Sequence, residues 1–215
     1  MKQHQGIWLP DHEKHLVEWM DKSGQIVDGR GTYQYKKLVG ALEHVKQWRT
    51  VVDVGAHVGF WSMHLARRFQ HLEAFEPVAE HRECWALNME GQKNTTLHEC
   101  ALGAVDGNVA MVIPPGSSGG THIGGPGWIP MKTLDSFEFQ DVDFLKIDCE
   151  GAEGAVLEGG VETMRRCRPC VIVEQKGHIM AANFGTKGRP AVDFLVGLGA
   201  KLRREMGGDF ILSWD

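Results

Sequence analysis

The chain has 215 residues, 24% of them charged, with a formal net charge of −5. That length builds one full hydrophobic core, and the acidic balance excludes a protein that grips long nucleic acid through a concentrated basic face. Five cysteines, an odd and scattered set at 84, 100, 149, 167 and 170, point to a reducing, cytoplasmic setting rather than a disulfide framework, and no window is apolar enough to span a membrane.

In chain order, residues 12–22 place Leu16, Val17, Trp19 and Met20 on one face, which predicts a short amphipathic helix ended near Gly24. Gly29-Arg30-Gly31 is a turn. Residues 33–48 carry Tyr35, Leu38, Val39, Leu42, Val45 and Trp48 at helical spacing, so residues 1–48 read as a helical cap or flank.

Val51-Val52-Asp53-Val54 is an apolar run closing on small residues, Gly55, Ala56 and Gly59, and then on a periodic stretch. A buried strand, a tight turn and a helix over 59–69 follow from that pattern. A second strand over 72–75 ends at Glu76-Pro77, about twenty residues past the first glycine, where nucleotide-binding sheets place an acid for ribose hydroxyls. The glycine spacing lacks the middle glycine that admits a pyrophosphate, and no G-x-x-x-x-G-K-[ST] run occurs, so the pattern fits an adenosine without phosphates.

A helix over 79–90 and a strand over 95–100 continue the alternation, which predicts a doubly wound, mostly parallel α/β sheet with right-handed crossovers. Ligands in such sheets sit beyond the carboxyl ends of the strands, where Asp53, Glu76 and the turn at Cys100-Ala101 converge; the adenine ring is expected near Ala101. Residues 109–113 read as a strand. The Gly/Pro-rich stretch 114–130 reads as a loop, a lid over the acceptor with Trp128 and His122 as contacts or simply a mobile surface loop.

Val142 to Ile147 reads as a fourth strand, Asp148-Cys149-Glu150 as its turn, and residues 152–164 as a helix. A strand over 171–174, a helix over 191–198 and a hairpin from 200–206 to 209–214 complete the chain, the hairpin adding an antiparallel C-terminal strand. Cys167-Arg168-Pro169-Cys170 precedes a strand instead of opening a helix and reads as structural.

Two of these stretches carry a resemblance. Asp53-x-Gly55-x-x-x-Gly59 at a strand end resembles motif I of the class I methyltransferases, which implies S-adenosylmethionine as cofactor, a Rossmann-like sheet with helices on both faces, and a catalytic domain over 49–215. Leu145-Lys146-Ile147-Asp148-x-Glu150-Gly151-Ala152-Glu153, with Thr133-Leu134-Asp135 upstream and Val171-Ile172-Val173-Glu174 downstream, is similar to the hallmark of the FkbM methyltransferase family. The resemblance implies cofactor contacts from Asp53, Gly55, Ala56, His57, Gly59, Glu76, Pro77, Ala101 and Asp148. Position 57 is commonly asparagine in that family. Asp148 is assigned to the cofactor side and Glu150 to the acceptor side, against the alternative that either caps the helix at Ala152. His178 is a candidate base by its intrinsic pKa, and its loop position equally suits an ordinary surface group. A metal held by Asp148, Glu174 and His178 is conceivable, but no ligand spacing compels one.

The expected partner is a small hydroxylated acceptor, with O-methylation of a sugar or another metabolite as the reaction. A nicotinamide oxidoreductase is the first rival, disfavoured by the missing glycine and the absence of a Tyr-x-x-x-Lys pair. A non-catalytic S-adenosylmethionine-binding partner protein is the second.

Overall fold

The computed structural model describes residues 1–175 and 188–214. Its centre is a seven-stranded sheet of β1 (Thr50–Val54), β2 (His71–Phe75), β3 (Thr95–His98), β4 (Val142–Ile147), β5 (Cys170–Glu174), β6 (Lys201–Met206) and β7 (Asp209–Ser213). The spatial order is β6-β7-β5-β4-β1-β2-β3. The five strands from β3 to β5 pair in parallel, and β7 joins β5 antiparallel before turning back into β6. Chain order reverses between β1 and β4, which is where a doubly wound sheet opens a crevice for a ligand.

Helices cover both faces, as the burial of β1, β4 and β5 on both sides requires. Val51, Phe144 and Ile172 pack with α1 (His15–Ser23), α2 (Tyr35–Leu42), α3 (Ser62–Leu65) and α4 (Ala79–Asn88) on one side. Their strand neighbours Val52, Leu145 and Val171 pack on the other side with α5 (Glu153–Glu158), α6 (Val161–Cys167) and α7 (Pro190–Gly197). The alternation within each strand divides the core into two layers.

The sequence reading needs five corrections. The first 48 residues also contain two antiparallel hairpins, Lys2–His4 with Ile7–Leu9 and Ile26–Val27 with Arg30–Gly31, and Ile7 and Leu9 share the core layer of β1. The second helix stops at Leu42, short of Val45 and Trp48. Only Ser62–Leu65 of residues 59–69 is regular α-helix. The helix over 152–164 divides at Gly159-Gly160, two residues of poor helix propensity, into α5 and α6.

The fifth concerns residues 114–130, where two strands follow residue 121 in the stretch expected to be a loop. Gly107–Val112, His122–Pro126 and Ile129–Lys132 form a second sheet with Ala101–Leu102. Glycine is abundant there because backbones approach closely: a Cβ on Gly127 would lie 2.4 Å from the Ala110 nitrogen. Trp128 is 96% exposed and His122 donates from Nδ1 to the Gly120 carbonyl at 3.0 Å, so neither borders the ligand crevice.

Candidate active site

A cavity of about 300 Å³ lies at the switch point, walled by the ends of β1, β2, β4 and β5. Its outer wall comes from His15 and Leu16 on α1, Tyr33 and Gln34 before α2, and the turn Ser117–Thr121. Of the residues expected to hold the cofactor, Gly55, Ala56, His57, Glu76, Pro77, Ala101 and Asp148 border it. Asp53 and Gly59 do not; they lie behind the wall and shape it.

Gly55 has φ +72°, and a Cβ there would lie 1.9 Å from the Asp148 carbonyl oxygen. Glycine is required because the turns after β1 and β4 cross, not only because a ligand approaches. The Gly55 and Ala56 amides both donate to the Phe75 carbonyl, at 3.1 and 3.0 Å, and the His57 amide donates to Glu76 Oε2 at 2.9 Å. These three amides are therefore committed within the protein. At Gly59 the space of a Cβ is taken by the Trp85 ring, 3.0 Å away.

Asp53 is fully buried, and its Oδ2 accepts from Ser62 Oγ at 2.7 Å. Ser62 Oγ in turn accepts from Trp85 Nε1 at 2.9 Å. Asp53 Oδ1 lies 3.1 Å from Lys146 Nζ, its register partner on β4. Lys146 Nζ also donates to the Val54 and Gly55 carbonyls at 3.1 and 2.7 Å, so the ammonium is held by two carbonyls beside its ion pair with Asp53. Burial works against its charge, yet the Asp53 and Asp148 carboxylates outweigh that and hold it above the ordinary lysine value. Sequence reasoning missed Lys146 as a site residue. The signal was present: a lysine inside an otherwise apolar central strand must find an anion.

Glu76 is 4% exposed. Its Oε1 accepts from the Val78 amide at 2.9 Å and from His81 Nδ1 at 3.2 Å. The carboxylate is thus fixed by three donors at the mouth of β2, with lone pairs remaining for a further donor. His81, 1% exposed and edge-on to His57 with ring centroids 4.5 Å apart, was not anticipated either.

At the opposite end Asp148, Glu150 and Glu174 gather, each offering an oxygen within 4.8 Å of the others. This set could hold a cation; it joins Glu150 to the expected Asp148 and Glu174, while His178 lies outside the described residues, as does Lys176. Neither Asp148 nor Glu150 caps α5. Its start has no side-chain cap; Glu153 Oε1 instead accepts from the Cys149 and Gly151 amides at 3.1 and 2.9 Å. Burial, reinforced by Glu153 and Asp148, pushes the Cys149 thiol well above its usual range, so it is not a thiolate nucleophile.

Among the described residues bordering the cavity there is no arginine, and Lys146 is paired with Asp53. A cationic ligand with a diol suits the carboxylates at both ends. S-adenosylmethionine has that chemistry: Glu76 would accept from the ribose hydroxyls, and Asp148 would face the charged end.

The sequence profile of the Methyltransferase FkbM domain matches residues 53–202. Over 68 residues, 31% of this chain and 30% of the relative, the sequence is 40% identical to a ribosomal RNA large subunit methyltransferase E from Methylibium petroleiphilum. Among solved structures, the fold is similar to the methyltransferase FkbM from Methylobacillus flagellatus, with TM-score 0.55 and 15% identity, covering 85% of this chain and 47% of that one. It is also similar to the fibrillarin pre-rRNA processing protein of Methanococcus jannaschii, with TM-score 0.53, 12% identity and coverage of 88% and 81%. The chain thus spans about half of the FkbM structure and under a third of the curated relative. The seven-stranded class I order, the acid closing β2 and the match across more than half of the sequence agree, and the chain belongs to the FkbM methyltransferase family.

Proposed function

We propose that the protein transfers a methyl group from S-adenosylmethionine to a hydroxyl oxygen of a small acceptor, a sugar or another metabolite. One observation carries this reading: a single cavity has a fixed carboxylate, Glu76, at one end and the Asp148, Glu150 and Glu174 cluster at the other. When bound, the donor supplies an electrophilic methyl group on a cationic sulfonium. Glu76 holds the ribose, Asp148 offsets the positive charge, and Glu150 receives the hydroxyl proton of the acceptor. Orienting the two reactants supplies much of the rate in a direct displacement. His178 remains the alternative base.

The enclosing wall of α1 and the Ser117–Thr121 turn favours an acceptor that enters whole over a base within a folded RNA. The net charge of −5 supports the same choice, since RNA is held through its phosphates. A reducing, cytoplasmic setting belongs to this proposal and is supported by five unpaired cysteines. Among the described residues no helix is long and apolar enough to cross a membrane.

Mass spectrometry of a panel of hydroxylated metabolites incubated with protein and donor tests the reading. A gain of one methyl group on a small acceptor is expected. Glu150→Gln should lower kcat by about a hundredfold while leaving donor affinity within a factor of about two. Methylation of ribosomal RNA alone, or no methyl transfer to any acceptor, would overturn it.

A further inference from the structure

The motif turn carries a residue whose side chain the proposed reaction does not use. His57 sits in the left-handed region at φ +52°, a conformation in which asparagine is more at ease. Its backbone amide donates to Glu76, and its Nε2 lies 2.8 Å from Ser118 Oγ. Ser118, itself fully buried, gives both its amide and its hydroxyl to Glu13 Oε2, each at 2.5 Å. Glu13 is fully buried too, and its Oε1 accepts from the Leu16 amide at 2.8 Å at the start of α1. The Lys14 and His15 amides donate to the Gly116 carbonyl at 3.0 and 3.1 Å.

Proton bookkeeping fixes the direction of this chain. A carboxylate only accepts, so the Ser118 hydroxyl spends its proton on Glu13 and must accept from His57, which places the histidine proton on Nε2. Burial, with His81, Lys146 and His12 nearby, lowers the His57 pKa well below the usual value, in keeping with a neutral ring. The residues so joined come from three distant stretches, and each of them abuts or borders the cavity wall.

We propose that His57 is a positioning residue: its side chain clasps the Ser117–Thr121 turn and the strap at Glu13–Leu16 over the cavity, and its backbone passes that closure to the ribose carboxylate Glu76. The clasp orders the outer wall before the acceptor enters, and donor affinity depends on it. This inference rests on the proposed site for S-adenosylmethionine, and only its second half requires the donor.

His57→Asn tests it, because asparagine suits the left-handed turn but is too short to reach Ser118; Ser118→Ala removes the same bond from the other side, together with the hydroxyl's bond to Glu13. Hydrogen exchange without ligand should show the amides of 116–121 opening at least about fivefold faster in either variant, with β1 and α4 unchanged. The double variant should be no faster than Ser118→Ala alone. Titration with S-adenosylhomocysteine should then show affinity lowered about three- to tenfold in each, with the thermal midpoint of His57→Asn held near wild type. Unchanged protection at 116–121, or additive effects in the double variant, would overturn the clasp whatever the donor does. Lost protection with full donor affinity would overturn the positioning role. Failure of the wild type to bind S-adenosylhomocysteine would overturn the proposed function and the positioning role, while exchange still decides the clasp.

Discussion

The two ends of the cavity are built differently. At the β1–β2 end the charged groups are balanced inside the protein: Lys146 against Asp53, and Glu76 against two backbone amides and His81. At the β4–β5 end the Asp148, Glu150 and Glu174 carboxylates gather within 4.8 Å of one another, and Asp148 helps to hold the charge of Lys146. The first end is a template that keeps its shape without a ligand. The second gathers acidic oxygens where the cationic centre of the proposed ligand would lie, and with Glu76 it suits a molecule with a neutral diol and a positive centre.

The largest effect expected from breaking this contrast is at the template. Lys146→Met strands the Asp53 carboxylate in the core and should cost about 3–5 kcal/mol in denaturant unfolding. Adding Asp53→Asn should recover a large part of that loss. If Lys146→Met alone were neutral, the pair would not be the brace described.

Acid should act on the same half. His64, 5% exposed beside Thr32, has its pKa lowered by burial to about 4, and burial lowers His57 in the same direction. The unfolded chain then binds more protons than the folded one between the usual histidine value near 6.5 and about 4. Stability is accordingly full above pH 6.5 and falls as pH drops through that window, by up to roughly 1.4 kcal/mol per pH unit from His64. Urea melts across pH 4–7 check this; His64→Gln should flatten the slope, and an unchanged slope would contradict the assignment.

Glu76→Ala tests the contrast where the ends meet the ligand. It removes the acceptor of three buried donors, so about 1–3 kcal/mol of stability should go, with donor affinity down at least about tenfold. Full donor affinity in the variant would show that this acid does not hold the ribose. At the small end, Trp128→Ser should change unfolding free energy and kcat by little, within about 0.5 kcal/mol, because the ring touches neither the core nor the cavity. A large loss of activity would return the residue to the acceptor site.

What the sequence disclosed follows the same division. The strand, turn and acid around Asp53, Gly55 and Glu76 were legible because they occupy one short stretch, and the mostly parallel, doubly wound sheet followed from alternating periodicities. The fixed partners of Glu76 were less so: the His57 amide and His81 are near in sequence, but their roles depend on how the turn and α4 face each other. The Glu13–Ser118 contact spans 105 residues and left no periodic trace. Gly124 and Gly125, which lie in a strand, were misread as loop because close strand packing and turn formation select the same residue. Gly55 was read as part of a tight turn, and the sequence held no sign that the distant Asp148 carbonyl occupies the space of its missing side chain.

The central claim is that this cavity takes a phosphate-free, positively charged adenosine ligand. Calorimetric titration of the wild-type chain with S-adenosylmethionine, and in parallel with NADH, tests it most directly. The account predicts saturable binding of the first and none of the second; heat from NADH, or none from S-adenosylmethionine, would contradict it.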